Sequence, residues 1–255
     1  MNTGMQDAFN LAWKLALIQH GRGQAEPLLQ SYSIERSAIG DQVLKTAETF
    51  TAIATLRNPV AQSLRNHVAP ILTSFQFLQD KVRREWQELS INYRLSPLSK
   101  QSWPKFKGGQ ESGDRLSHAR LTAAANGNSV SLFDSLDGIR YALLLLPANE
   151  PEAVARLLKI ATQTGTLFPG AISPYLILKE GSSPLPPGLA TVPVWIDSQS
   201  SVYGKLHASD PTIILVRPDG YIGYRCQPAD GETLKEYLRD FMIPLGGETL
   251  PGRTQ

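Results

Sequence analysis

The sequence predicts an α/β protein made of two stretches of different texture, a helical one over residues 1–95 and an alternating one over residues 116–245. Three observations carry this. Up to about residue 90 the apolar residues recur at helical spacing. From Leu116 onward, strand-length apolar runs alternate with helical patterns and Gly/Pro turns. Between the two, Pro97, Trp103, Pro104 and the pair Gly108-Gly109 mark a linker over 96–115.

The first helix is predicted from Thr3. Thr3 is a good N-cap, Gln6 completes a capping box, and Asp7 still falls in the first turn. Ala8, Phe9, Leu11, Ala12, Trp13, Leu15, Ala16, Leu17 and Ile18 cover nearly every side of it, where a surface helix shows one apolar stripe. Such a helix needs enclosure, so structure is expected ahead of it and the chain reads as a fragment. His20 and Gly21 close it. Leu28, Tyr32, Ile39, Val43, Ala47 and Phe50 predict a second, amphipathic helix from about Glu26 to Phe50. Asn58-Pro59 opens a further helical stretch that Pro70 interrupts. Leu72, Phe75, Leu78, Val82, Trp86 and Leu89 continue its stripe, and Trp86 reads as a core or interface anchor.

In the second stretch, Ser131–Phe133 and Ile139–Leu146 flank Asp137-Gly138 and predict a hairpin. A helix is expected over Pro151–Gln163 and strands over Pro174–Lys179 and Val194–Ile196. A second hairpin forms from Thr212–Arg217 and Tyr221–Arg225 around Pro218-Asp219-Gly220. Asp230 caps a last helix through Phe241, and the polar tail 246–255 is expected to be loose. Strand, helix, strand, hairpin and helix in that order is what a thioredoxin-like α/β domain requires.

Composition excludes several classes of function. A net charge of +2 with 19% charged residues gives no broad basic face, so no nucleic-acid partner is expected. The apolar runs Tyr141–Leu146 and Thr212–Val216 are far too short for a membrane span, and no signal-peptide pattern opens the chain. One cysteine, Cys226, rules out an internal disulfide and a C-x-x-C redox pair, and fits a cytoplasmic protein. Its strand position reads as core filling. His20, His67, His118 and His207 are scattered without metal-ligand spacing. Asp114 and His118 suggest an acid–base pair but read better as solvated linker residues. There is no G-x-S-x-G elbow for Ser–His–Asp catalysis.

The opening run MNTGMQDAFNLAWKL resembles a flavin-binding stretch of the FAD-dependent aromatic hydroxylases, the phenol-hydroxylase-like flavoprotein monooxygenases. Leu29-Gln-Ser-Tyr32-Ser-Ile-Glu35-Arg36 resembles a second run of that family, with Ala38 near the position where the family carries Pro. Gly113-Asp-Arg115-Leu-Ser-His118, Ser131-Leu-Phe-Asp134 and Val216-Arg-Pro-Asp-Gly-Tyr221 resemble landmarks of the thioredoxin-like domain that ends many of these enzymes. The resemblance covers Met1 to about Leu245. It implies a helical C-terminal part of the FAD-binding domain (1–95), then a redox-inactive thioredoxin-like domain (116–245). The family's G-x-G-x-x-G fingerprint is missing, since Gly21-Arg-Gly23 lacks the third glycine and sits at a helix exit. Gly113-Asp114 follows the first motif, where the family's ribityl-binding Gly-Asp precedes it.

Taken with the helix, the resemblance implies that Met1, Asn2, Thr3 and Gly4 contact FAD, mainly through the main chain. Orphan amides and the positive helix end favour negative charge on the flavin pyrimidine edge. It also implies NAD(P)H as co-substrate and oxygen insertion into a phenolic substrate, with the isolated chain inactive and no catalytic residue assignable. Glu35 and Arg36 are expected either to ion-pair with a missing domain or to line a solvated face. The rival expectation is a non-enzymatic dimerisation or interaction module, a helical arm plus a redox-dead thioredoxin-like domain; the Phe75–Trp86 stripe is open to burial in the core or against a second subunit of a homodimer.

Overall fold

The computed structural model describes residues 2–54, 91–104, 108–182 and 192–246, without the side chains of Asn2, Thr3 and part of 41–54. The expected helical stretch from Asn58 through Leu89, with Trp86, and the tail beyond 246 lie outside the described residues. Two compact units emerge: Met1–Tyr32 with Asn92–Gln255, and Ser33–Ile91.

Helix α1 spans Asn2–Gln19 and α2 spans Ala25–Ala54. Thr3 is thus already helical rather than a cap ahead of the helix, and Asp7 falls in the second turn, leaving no acidic residue in the first. At the far end the backbone reverses through Gly21, at φ +65°, while the amides of Arg22 and Gly23 both donate to Leu17 O at 2.9 and 3.0 Å. Gly23 is required by space: a Cβ there would stand 2.5 Å from Leu28 Cδ1 and 3.0 Å from Leu17 Cβ. Within the second unit, Glu35 and Arg36 of α2 are both buried, so they do not line a solvated face.

The body of the first unit is an eight-stranded mixed sheet. Its strands are β1 (Lys100–Ser102), β2 (Arg120–Ala123), β3 (Ser129–Ser131), β4 (Tyr141–Leu146), β5 (Ile172–Lys179), β6 (Val194–Asp197), β7 (Thr212–Val216) and β8 (Ile222–Cys226). In space they run β1-β8-β7-β4-β5-β6-β2-β3. β4, β5 and β6 are parallel neighbours, while β7 pairs antiparallel with both β4 and β8. Three helices complete it: α3 (Ala153–Leu167), α4 (Ser201–Leu206) and α5 (Gly231–Arg239). The Asp230 carboxylate caps α5 by accepting from Glu232 N at 2.9 Å.

Central strand β4 explains the layering. All six of its residues are buried, as expected for a strand covered on both faces. Tyr141, Leu143 and Leu145 point to one core with Trp13 and Leu17 of α1, Leu28 of α2, Leu157 of α3 and Leu234 and Leu238 of α5. Ala142, Leu144 and Leu146 point to the other, with Val202, Tyr203 and Leu206 of α4 and with Trp103. Each fully buried Leu contributes roughly 1.5–3 kcal/mol of transfer free energy.

Two sequence expectations are corrected. The hairpin around Asp137-Gly138 does not form: β3 pairs with β2, and three strands separate β3 from β4. After β3 the chain tightens into a 3-10 turn, Leu132–Ser135, closed by a capping box between Ser131 and Asp134. Asp137 then folds back onto the amides of Ile139 and Arg140 at 2.9 and 2.7 Å, a local turn that pairs no strands. The stretch expected as a linker carries the edge strand β1, parallel to β8. There Gly113, at φ +93°, lies so close to Arg94 that a Cβ would stand 2.3 Å from its amide nitrogen.

Candidate functional site

The residues implied in cofactor binding gather at the start of α1. Met1 lies outside the described residues, and Asn2 and Thr3 supply helical backbone. Gly4 is exposed, with nothing within 4 Å of where its Cβ would be. The first-turn amides have no intrahelical acceptor, and the first turn itself holds no acidic residue. One turn on, the Gln6 amide oxygen is buried without a hydrogen-bond partner. Open backbone, a positive helix end and an orphaned acceptor suit a flat, electron-rich ring that also carries an N–H, and the flavin pyrimidine is such a ring. The outer face of α1 leaves Met5, Phe9 and Leu15 exposed.

The inner face of α1 holds a polar cluster that sequence reasoning did not find. Asn10 Nδ2 and Trp13 Nε1 donate to Asp219 Oδ2 at 3.2 and 3.0 Å. Asp219 sits in the β7–β8 turn and also receives Arg217, whose Nε reaches Oδ1 at 3.1 Å and whose Nη2 reaches Oδ2 at 2.6 Å. Both charged side chains are out of water, at 0% and 4% exposure. The guanidinium lies between the rings of Trp13 and Tyr93, 5.1 Å from each centroid, with Tyr221 at 6.0 Å. Short charge-assisted bonds and cation–π contacts are what make a buried pair tolerable. Buried Lys14 lies next to it, over Trp13 and Tyr32 at 5.5 and 5.8 Å.

The other candidates do not converge. Asp114 is not a solvated linker residue: it receives Arg94 through Nε and Nη2 at 2.7 and 3.0 Å and Glu111 N at 2.8 Å. The hydrogen bond to Asp114 holds the Arg94 guanidinium above its ordinary pKa. His118 instead meets the ring of Phe133 edge-on. Cys226 is buried in β8, with Sγ 3.0 Å from Pro228 O. Burial lowers the Arg225 guanidinium to about 10, so it is still charged at neutral pH, stacked 3.9 Å over Trp103. A cavity of about 280 Å³ at the ends of β4 and β5 is lined by Pro147, Asn149, Val154 and Lys179, and Lys179 Nζ is bonded to Asn149 Oδ1 at 3.0 Å. Among the described residues no His/Cys/Asp/Glu cluster fits a metal, and no helix is long and apolar enough to cross a membrane.

Residues 1–47, which include all of α1, match the family model described as FAD binding domain. The chain is 30% identical over 267 residues to 6-methylpretetramide 4-monooxygenase of Streptomyces rimosus, an alignment covering 99% of this chain and 42% of that protein. It is also 30% identical to pentachlorophenol 4-monooxygenase of Sphingobium chlorophenolicum, over 95% of this chain and 42% of that protein. Among solved structures, CabE, an aromatic hydroxylase from angucycline biosynthesis, shares the fold at TM-score 0.60 and 23% identity, covering 93% of this chain and 40% of that one. The chain therefore spans under half the length of these relatives.

Proposed function

We propose that this chain is the C-terminal part of an FAD-dependent monooxygenase that hydroxylates a phenolic substrate with NAD(P)H as co-substrate. The match of residues 1–47 to an FAD binding domain carries this reading. The open first turn of α1 supports it. FAD, when bound, supplies the oxygen chemistry, and the protein supplies orientation and electrostatics. The main-chain amides around Met1, Asn2, Thr3 and Gly4 hold the pyrimidine edge of the ring and stabilise negative charge there.

Residues 116–245 form a thioredoxin-like domain on this reading. The parallel β4–α3–β5 crossover followed by the β7–β8 hairpin and α5 supports it. The domain is redox-inactive, since its one thiol is buried and has no partner cysteine in the sequence. The dinucleotide fingerprint and the substrate pocket belong to sequence outside this chain, so the isolated chain hydroxylates nothing.

Titration of the purified chain with FAD, followed by flavin fluorescence, tests the proposal. Saturable but weak quenching is expected, with Kd on the order of 0.1–1 mM. Gly4→Asp, which puts a carboxylate into open space at the positive helix end, should weaken it several-fold. Absence of saturable quenching would sink the flavin reading. Flavin that co-purifies through gel filtration would show that the site is complete without further chain.

A further inference from the structure

We infer that Asp219 is a positioning residue that aims the amino end of α1, and through it the cofactor contacts; the second half of this statement rests on the flavin reading above. Neutralising Arg217 needs only the two-pronged contact that Arg217 already makes with Asp219. Oδ2 nevertheless takes two further donors, both from α1. Asn10 and Trp13 are three residues apart, on one face of the helix, so two bonds to one oxygen fix both its rotation and its height. The acceptor is itself immobilised. Gly220 N donates to Arg217 O at 2.9 Å, Arg217 N to Tyr221 O at 2.8 Å and Leu116 N to Gly220 O at 2.9 Å, which bracket the turn.

The lever arm gives this anchoring its consequence. From Trp13 back to Asn2 is eleven residues, about 16 Å of helix at 1.5 Å per residue. A tilt of about 10° at the anchor moves the first turn by about 3 Å, whereas a hydrogen bond to a carbonyl tolerates only about 0.5 Å of spread. Among the described residues, full burial along α1 begins only at Asn10: Gly4, Met5 and Ala8 are exposed, and Phe9, with its ring beside Gly138, is 47% exposed. The aim of the cofactor end is therefore set near its middle, by a side chain about 200 residues away in the sequence.

Trp13→Phe keeps an aromatic, though smaller, ring and removes the indole N–H, and Asn10→Ala removes the other donor; neither changes Arg217 or Asp219 themselves. Amide hydrogen exchange and the FAD titration are run on the same variants of the whole 255-residue chain. Amides Met5–Phe9 should exchange at least tenfold faster in each variant, with β4 and β7 unchanged and FAD binding weakened several-fold. A purely structural contact would lower protection in α1 and the sheet together, and that result, or unchanged exchange in α1, overturns the inference. Faster α1 exchange with unaltered FAD affinity would refute the link to the cofactor. If the unmutated chain shows no saturable FAD binding, the function proposed above fails, while the exchange pattern still decides whether Asp219 aims the helix.

Discussion

Asp219→Ala should be the most destabilising single change in the described part of this chain. It leaves Arg217 charged at 0% side-chain exposure with its carboxylate partner gone. Removing one partner of a buried ion pair costs about 3–5 kcal/mol. Asn10 and Trp13 also lose their hydrogen bonds to Asp219, for about 1 kcal/mol each. The cage of Trp13, Tyr93 and Tyr221 is present before and after, so it does not enter the difference. The sum is about 5–7 kcal/mol, comparable with the whole stability of a small domain. Arg217→Met alone leaves the buried carboxylate with its Asn10 and Trp13 donors but no cation, and should cost about 3 kcal/mol. The double variant Arg217→Met/Asp219→Ala removes both charges and should cost less than Asp219→Ala alone. Urea unfolding followed by far-UV circular dichroism measures the cycle, and its interaction energy should reach several kcal/mol. The reasoning is refuted if Asp219→Ala costs less than about 1.5 kcal/mol, or if the cycle is additive within about 0.5 kcal/mol.

Two further predictions concern the rest of the first unit. Asp197 is fully buried and accepts from the amides of Ser201, Val202 and Tyr203 at 2.9, 2.8 and 3.1 Å, so it caps α4 from three residues ahead of Ser200. Asp197→Ala should cost about 2–4 kcal/mol in thermal unfolding, with partial recovery in Asp197→Asn; a loss below about 1 kcal/mol would show that α4 is held by packing alone. Partial burial raises the Asp137 pKa, but hydrogen bonds from the Arg140 and Ile139 amides and the Arg140 side chain outweigh it and hold the group below its ordinary 3.8. A depressed folded pKa means stability that is present above pH 3.8 and is lost as pH falls through the lowered value. Asp137→Asn should therefore flatten the acid limb of stability below about pH 4, and an unchanged limb would assign that loss to other carboxylates.

Legibility followed the range of the interactions. The β7–β8 hairpin was readable because Pro218-Asp219-Gly220 and the alternating runs beside it are neighbours in the sequence. The α5 cap was readable because Asp230 and Glu232 are two residues apart. Asp137-Gly138 was a true turn signal, but a turn does not say which strands will pair, and β3 found its partner in β2. β1 left no signal: Lys100, Gln101 and Ser102 carry no apolar pattern, and tertiary pairing with β8 alone makes them a strand. Helix α4 is only six residues long, too short for a 3.6-residue period to show. At the candidate site the cofactor residues came from a motif match. The Asp219 anchor spans 209 residues to Asn10 and could not be read, although two polar-tipped side chains at i and i+3 on a largely apolar helix were its trace.

That trace also resolves the unusual composition of α1. A helix apolar on nearly all sides has more than one partner surface to serve, and the described body takes only one of them. Trp13 and Leu17 sink into the core under β4, and Asn10 closes on the β7–β8 turn. Met5, Phe9 and Leu15 are left facing outward. The boundary of the first compact unit follows this division rather than the order of the chain, placing residues 1–32 with the sheet. The α1–α2 turn strengthens the union: Gln24 N donates to Phe241 O at 2.9 Å, Ile243 N to Arg22 O at 2.9 Å, and Arg22 Nη1 to Gly170 O at 2.9 Å. If α1 carries flavin contacts, the sheet domain is not an appendage to that site. It is the surface against which the flavin helix is seated, and Trp13, Leu17 and Asn10 would lose their partners without it.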